Sequence, residues 1–158
     1  MTVTYQNDDP AFVNDLQESQ RYVWITAMWL SKKGWTVQIP PLKVRPNVKE
    51  RNQYADNGDL FVTKDNGPKR IEVKHRHTID FTNAADFPFP TLIVCEPYTW
   101  DRAKPFAYVI WDQDASHCAV VYSKTRHHWT IERHKDGRYQ DERDYYVCPL
   151  EHCKFMER

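Results

Sequence analysis

The sequence predicts an α/β fold: a mixed central sheet with one long amino-terminal helix against it, extended by antiparallel strands and hairpins toward the carboxy terminus. Three observations carry this. A helical stretch starts at Asp9-Pro10 and stops at Gly34. Short β-rich runs bounded by Pro, Gly, Asn and Asp follow it. A second half poor in helical periodicity holds Asp136-Gly137, a strong hairpin signal, between two further runs. At 158 residues the chain is expected to form one domain, residues 1–158, with a core over about 10–95 and a strand-rich extension over about 96–158.

The elements follow in order. An acidic cap followed by proline at the first helical position opens a helix at Pro10. It should run to about Lys33 and end at Gly34, because glycine tolerates the left-handed conformation that closes a helix. Its second half, Tyr22 to Leu30, is apolar nearly all round and predicts burial on several sides. Glu18 shares a stripe with Tyr22, Ile25 and Trp29, so its carboxylate needs a partner or a metal. A strand follows at about Trp35 to Ile39, then Pro40, Pro41 and Pro46 break regular structure. Lys43, Arg45, Lys49 and Arg51 read as a basic loop interrupted only by Glu50.

Asp59 opens the next strand, with Leu60 and Val62 toward the core. After a turn at Asp65-Asn66-Gly67-Pro68 comes a strand carrying Arg70-Ile71-Glu72-Val73-Lys74 and running to about His77. Thr78 to Pro90 reads as irregular, and Thr91 to Cys95 as a buried strand. Tyr108 to Trp111, Ala119 to Tyr122, Trp129 to His134 and the segment after Arg138 are further strands. The sequence holds no internal repeat and no low-complexity segment.

Composition narrows the function classes. With 22 Lys and Arg against 22 Asp and Glu the formal net charge is zero, which argues against tight, non-specific binding to nucleic acid over the whole surface. A local basic groove remains compatible with it. Only four glycines occur and none forms a phosphate-cradling loop, so nucleoside-triphosphate hydrolysis is not expected. Four cysteines suit reduced thiols better than a disulfide framework. Cys95 and Cys118 lie in or beside apolar runs and read as small core residues. Cys148, His152, Cys153 and His117-Cys118 are spaced poorly for a closed zinc site. No apolar run of membrane-spanning length and no secretory signal stand in the sequence, so a soluble protein of the cytoplasm is expected, or of the host cytoplasm if the source is viral.

The chemistry concentrates at Asp59, Glu72 and Lys74. Alternation puts Glu72 and Lys74 on one face of their strand, with Ile71 and Val73 on the other. Two carboxylates beside an ammonium group can hold a hard divalent cation and orient a water, the minimum equipment for metal-assisted phosphodiester hydrolysis. Asp59 followed thirteen residues on by Glu72-Val73-Lys74 resembles the motif of the PD-(D/E)XK nuclease superfamily, of restriction-endonuclease-like fold. The resemblance covers about residues 10–95. It departs from the motif at Gly58, where the motif name has proline, and does not extend beyond residue 95.

That resemblance implies a restriction-endonuclease-like sheet and a Mg2+- or Mn2+-dependent deoxyribonuclease, acting in recombination, repair or phage DNA processing. Asp59, Glu72 and the backbone carbonyl of Val73 would bind the metal. Lys74 would position the attacking water, and Glu18 would match the acid that many members supply from the first helix. DNA is the implied partner, with a homodimer or larger assembly as the working form.

Arg76 continues the Glu72–Lys74 face and, with Lys43, Arg45, Lys49 and Arg51, could contact phosphates. His75 and His77 flank Arg76 as supporting or solvent-exposed residues. Residues 123–135 interleave basic side chains and histidines with Trp129, a pattern that suits stacking on single strands. The alternative is a non-catalytic nucleic-acid- or protein-binding protein on the same fold, with its aromatic-rich second half as an interface.

Overall fold

A computed structural model describes residues 10–41, 59–135 and 141–158, with side chains from residue 17 onward. The basic residues Lys43, Arg45, Lys49 and Arg51, the cap Asp9 and Asp136-Gly137 lie outside the described residues. Mixed α/β architecture, a mixed sheet and an amino-terminal helix are present, as the sequence predicts. By packing, the chain divides into two compact units, Met1–Val73 and Lys74–Arg158.

In the first unit, helix α1 spans Pro10–Lys32. Its carboxy end closes as foreseen: Gly34, at φ +93°, donates to the Ser31 carbonyl at 3.0 Å, and Trp35 donates to the Leu30 carbonyl at 3.1 Å. This doubled closure satisfies carbonyls that the last turn leaves without helical partners. Tyr22, Val23, Thr26, Ala27 and Trp29 are buried. Thr26 satisfies its hydroxyl internally by donating to the Tyr22 carbonyl at 2.7 Å.

Burial on several sides is corrected on one face of α1, where Trp24 and Met28 keep 59% and 60% of their surface exposed. They stand four residues apart and so project side by side.

Strand β1 (Thr36–Gln38) pairs antiparallel with β2 (Leu60–Thr63), and β2 pairs antiparallel with β3 (Lys69–His75). The register sets Leu60 opposite Ile71 and Phe61 opposite Arg70. Leu60, Val62 and Ile71 are buried, so one face of this hairpin makes the core and the other carries Phe61, Arg70 and Glu72. The turn at 64–68 is exposed throughout, as its Asp-Asn-Gly-Pro sequence predicts.

The second unit begins inside β3, at Lys74. It holds β4 (Thr91–Cys95), a short helix α2 (Pro97–Ala103), β5 (Ala107–Trp111), β6 (His117–Tyr122), a 3-10 turn (Ser123–His128), β7 (Thr130–Lys135), β8 (Glu142–Pro149) and β9 (Lys154–Glu157). Strands β5, β6 and β9 pair antiparallel in that order. A separate three-stranded sheet runs β4-β8-β7, also antiparallel. Strands β7 and β8 flank Asp136-Gly137 in the hairpin pairing the sequence predicts, from Thr130 opposite Val147 to Lys135 opposite Glu142. Both sheets feed one core: Leu92, Val94, Tyr108, Ile110, Ala119, Val121, Tyr146 and Cys148, with Phe81, Phe87 and Trp129 from connecting segments.

That core corrects the reading of Trp129. It is only 5% exposed, packs against Trp100 at 5.2 Å and Tyr108 at 6.1 Å, and donates from its indole nitrogen to Thr125 Oγ1 at 3.0 Å. It is a core anchor, and a nucleic-acid base has no access to its face. Cys95, Cys118 and Cys148 are buried, in line with the core-residue reading of Cys95 and Cys118. None of the described helices is long and apolar enough to cross a membrane.

Candidate functional site

The hairpin register pairs Leu60 with Ile71, and its continuation by one residue past β2 would set Asp59 opposite Glu72. Side chains directly opposite in an antiparallel pair share a face, with Cβ atoms roughly 5 Å apart. Asp59 also closes the pair chemically. Its Oδ2 accepts the Val73 backbone N–H at 2.7 Å. The carboxylate thus supplies an acceptor where the regular ladder stops.

Glu72 lies beside Arg70, two residues back on the same face. Arg70 Nη2 and Nε donate to Glu72 Oε1 at 2.8 Å and 3.1 Å. Both side chains are about four-fifths buried, with 20% and 19% of their surface exposed. Both bonds land on one oxygen of Glu72, Oε1. Arg70 was not singled out in the sequence. Its signal was there: a cation two residues from an acid on a strand shares its face.

Lys74 follows Glu72 by two residues and is the first residue of the second unit, half-buried on β3. Glu18 lies on α1 in the first unit and is exposed. Arg76 lies beyond β3, where its backbone N–H donates to the Trp111 carbonyl at 2.9 Å. Its guanidinium gives Nη2 to the Ile93 carbonyl. Burial pushes the Arg76 pKa below its ordinary value. His75 Nε2 and His77 Nδ1 sit 3.0 Å apart as a hydrogen-bonded pair.

The donors that Asp59 and Glu72 offer are carboxylate oxygens. That set suits a hard cation such as Mg2+ or Mn2+ and is poor for a thiolate-loving metal. The Arg70 guanidinium would compete with a cation for Glu72.

A second acidic group lies in the second unit. Carboxylate oxygens of Asp80, Asp112 and Asp114 fall within 4.8 Å of one another. Sequence reading missed it because Asp80 comes from a segment far along the chain from the turn that carries Asp112 and Asp114. Hydrogen bonding explains most of it. Asp112 accepts from Ser116 N at 3.0 Å, His117 N at 3.2 Å and Ser116 Oγ at 3.3 Å, and Asp114 accepts from Ser116 Oγ at 2.7 Å. These bonds hold the turn between β5 and β6, which carries Ala115 at φ +58°. Burial raises the Asp112 pKa, while the Ser116 bonds lower that of Asp114, so a proton shared at low pH would reside on Asp112.

Comparison with protein-family models, with curated proteins and with solved structures finds no match.

Proposed function

We propose that the chain is a Mg2+-dependent nuclease that hydrolyses DNA phosphodiester bonds. One observation supports this above the others: the Asp59 carboxylate accepts the backbone N–H of Val73, the residue between Glu72 and Lys74, at 2.7 Å. Asp59, Glu72 and the Val73 carbonyl would hold the cation, which supplies charge neutralisation at the scissile phosphate and a more acidic water. Lys74, on the same strand face as Glu72 by alternation, would hold the nucleophilic water or the charge that builds on phosphorus. Arg70 keeps the Glu72 carboxylate partnered and correctly turned before the cation arrives. Glu18 would supply a third carboxylate, and Arg76 a contact to the phosphate backbone.

The test is an assay on linear duplex, single-stranded and branched DNA with Mg2+, with Mn2+ and with chelator. The proposal expects cleavage that requires metal and is abolished by chelator. Absence of cleavage on every substrate would transfer support to the non-catalytic binding protein on the same fold.

A further inference from the structure

We propose that the second unit carries an oxyanion site, built by Arg76 and Arg126 with Lys74 at its flank, that takes the dianionic group of inorganic phosphate or a phosphomonoester. Arg76 is largely buried, and among the described residues its hydrogen bonds go to backbone: its amide to the Trp111 carbonyl and its Nη2 to the Ile93 carbonyl. That carbonyl lies where the β4–β8 register shifts, between Ile93 and Cys95. A guanidinium set into protein against neutral oxygens keeps an uncompensated charge, which is costly unless an anion arrives.

Arg126 stands on the 3-10 turn and reaches β8. Its guanidinium stacks 3.9 Å from the Tyr146 ring centre, and Tyr146 is the β8 partner of Cys95. Its Nε is buried with no hydrogen-bond partner among the described residues. The Cys95 thiol registers both nearby cations: the Lys74 ammonium and the Arg126 guanidinium pull its pKa down, against the larger upward push of burial.

None of Lys74, Arg76 and Arg126 makes an ion pair among the described residues. The neighbouring acid, Glu96, is committed to Arg143 at 3.4 Å. A neutral Gln or Asn could cap the Ile93 carbonyl as well as Arg76 does, so carbonyl capping does not account for the charge. Planar guanidinium groups with spare donors match tetrahedral oxyanions, which accept several N–H bonds at once. The site stands whether or not the chain hydrolyses DNA, because it requires no metal and no catalysis.

The experiment is isothermal titration and thermal unfolding of the full chain in chelator, with sodium phosphate against sodium chloride at equal ionic strength. Wild type should show a saturable, phosphate-specific rise in Tm. Arg76→Met and Arg126→Met should each weaken phosphate binding by about tenfold or more, the effect of losing one charge-assisted contact. Should Arg76→Met not fold, Arg126→Met decides. Short oligonucleotides ending in a 5′-phosphate or a 5′-hydroxyl then distinguish the source. Displacement of phosphate by the phosphorylated form alone assigns the site to nucleic-acid ends, and displacement by neither assigns it to free phosphate. A wild type that responds equally to phosphate and chloride, or an Arg126→Met variant that binds phosphate like wild type, overturns the proposal.

Discussion

Asp59 carries two separable roles, and two substitutions pull them apart. Its carboxylate accepts the Val73 N–H at 2.7 Å, a short charge-assisted bond at the open end of the β2–β3 hairpin. Removing a partner from such a bond costs about 1–2 kcal/mol once partial exposure is allowed for. In a chain of 158 residues that corresponds to a fall in Tm of about 2–8 °C for Asp59→Ala. Asp59→Asn keeps an amide oxygen for the Val73 N–H and removes only the charge, so its cost should stay below about 1 kcal/mol. The metal response should behave differently. A cation bound at about 1 mM and supplied at tenfold excess stabilises by about 1.4 kcal/mol, or about 3–6 °C. Both variants should lose that shift, including Asp59→Asn, whose fold is preserved. Differential scanning fluorimetry with Mg2+ and with chelator reads both quantities. An Asp59→Asn protein that responds to Mg2+ as wild type does would show that Asp59 is a strand-end acceptor and no metal ligand.

Further outcomes follow from the same structure. Gly34→Ala should lower stability by about 1 kcal/mol through backbone strain alone, since Gly34 sits at φ +93° and the nearest atom to an added Cβ is Lys64 Cε at 3.9 Å; denaturant unfolding measures it. Trp129→Ala should cost about 3–5 kcal/mol by opening a cavity between Trp100, Tyr108 and Tyr146, and an unchanged urea midpoint would contradict its placement in the core. The Asp86 carboxyl is held down at about 2 by the Asn83 amide, the Thr82 hydroxyl and the Thr82 amide. Its folded pKa lies below its ordinary value of 3.8, so its contribution is complete above about pH 4 and lost as pH falls toward 2. The Tm gap between wild type and Asp86→Ala should therefore close over that interval.

Much of the first unit was legible in residues. Pro10 and Gly34 marked the ends of α1 because each has a backbone property the helix terminus requires. Alternation put Leu60, Val62 and Ile71 inside and so placed Glu72 on the other face. What was not legible depends on partners far away in the chain. The apolar girdle of α1 gave no hint that Trp24 and Met28 stay exposed, since periodicity reports polarity and not what packs on each side. The basic surroundings of Trp129 suggested a surface, yet Trp100, Tyr108 and Tyr146 enclose its ring. Strand β4 was recognised as buried, but its pairing with β8 joins Leu92 to Cys148, a register no local pattern encodes. Helix α2 and strand β9 were missed because each is only a turn or two, or four residues, long.

The candidate site was legible as a set of residue types at a spacing. Its wiring was not. Asp59 and Glu72 could be named, but the Arg70 bond to Glu72 and the Asp59 bond to Val73 depend on hairpin register and side-chain direction. Arg76 was legible as a cation that could meet phosphate, whereas its bond to the Ile93 carbonyl depends on where β4 runs.

The most direct test of the nuclease account is single: Mg2+-dependent cleavage of linear duplex DNA by wild type and by Lys74→Ala, purified side by side. The account predicts cleavage by wild type and its loss by about a hundredfold or more in the variant, which removes a positioned charge from the reacting centre. Cleavage that survives the substitution undiminished would place the activity elsewhere and contradict the assignment of Asp59, Glu72 and Lys74.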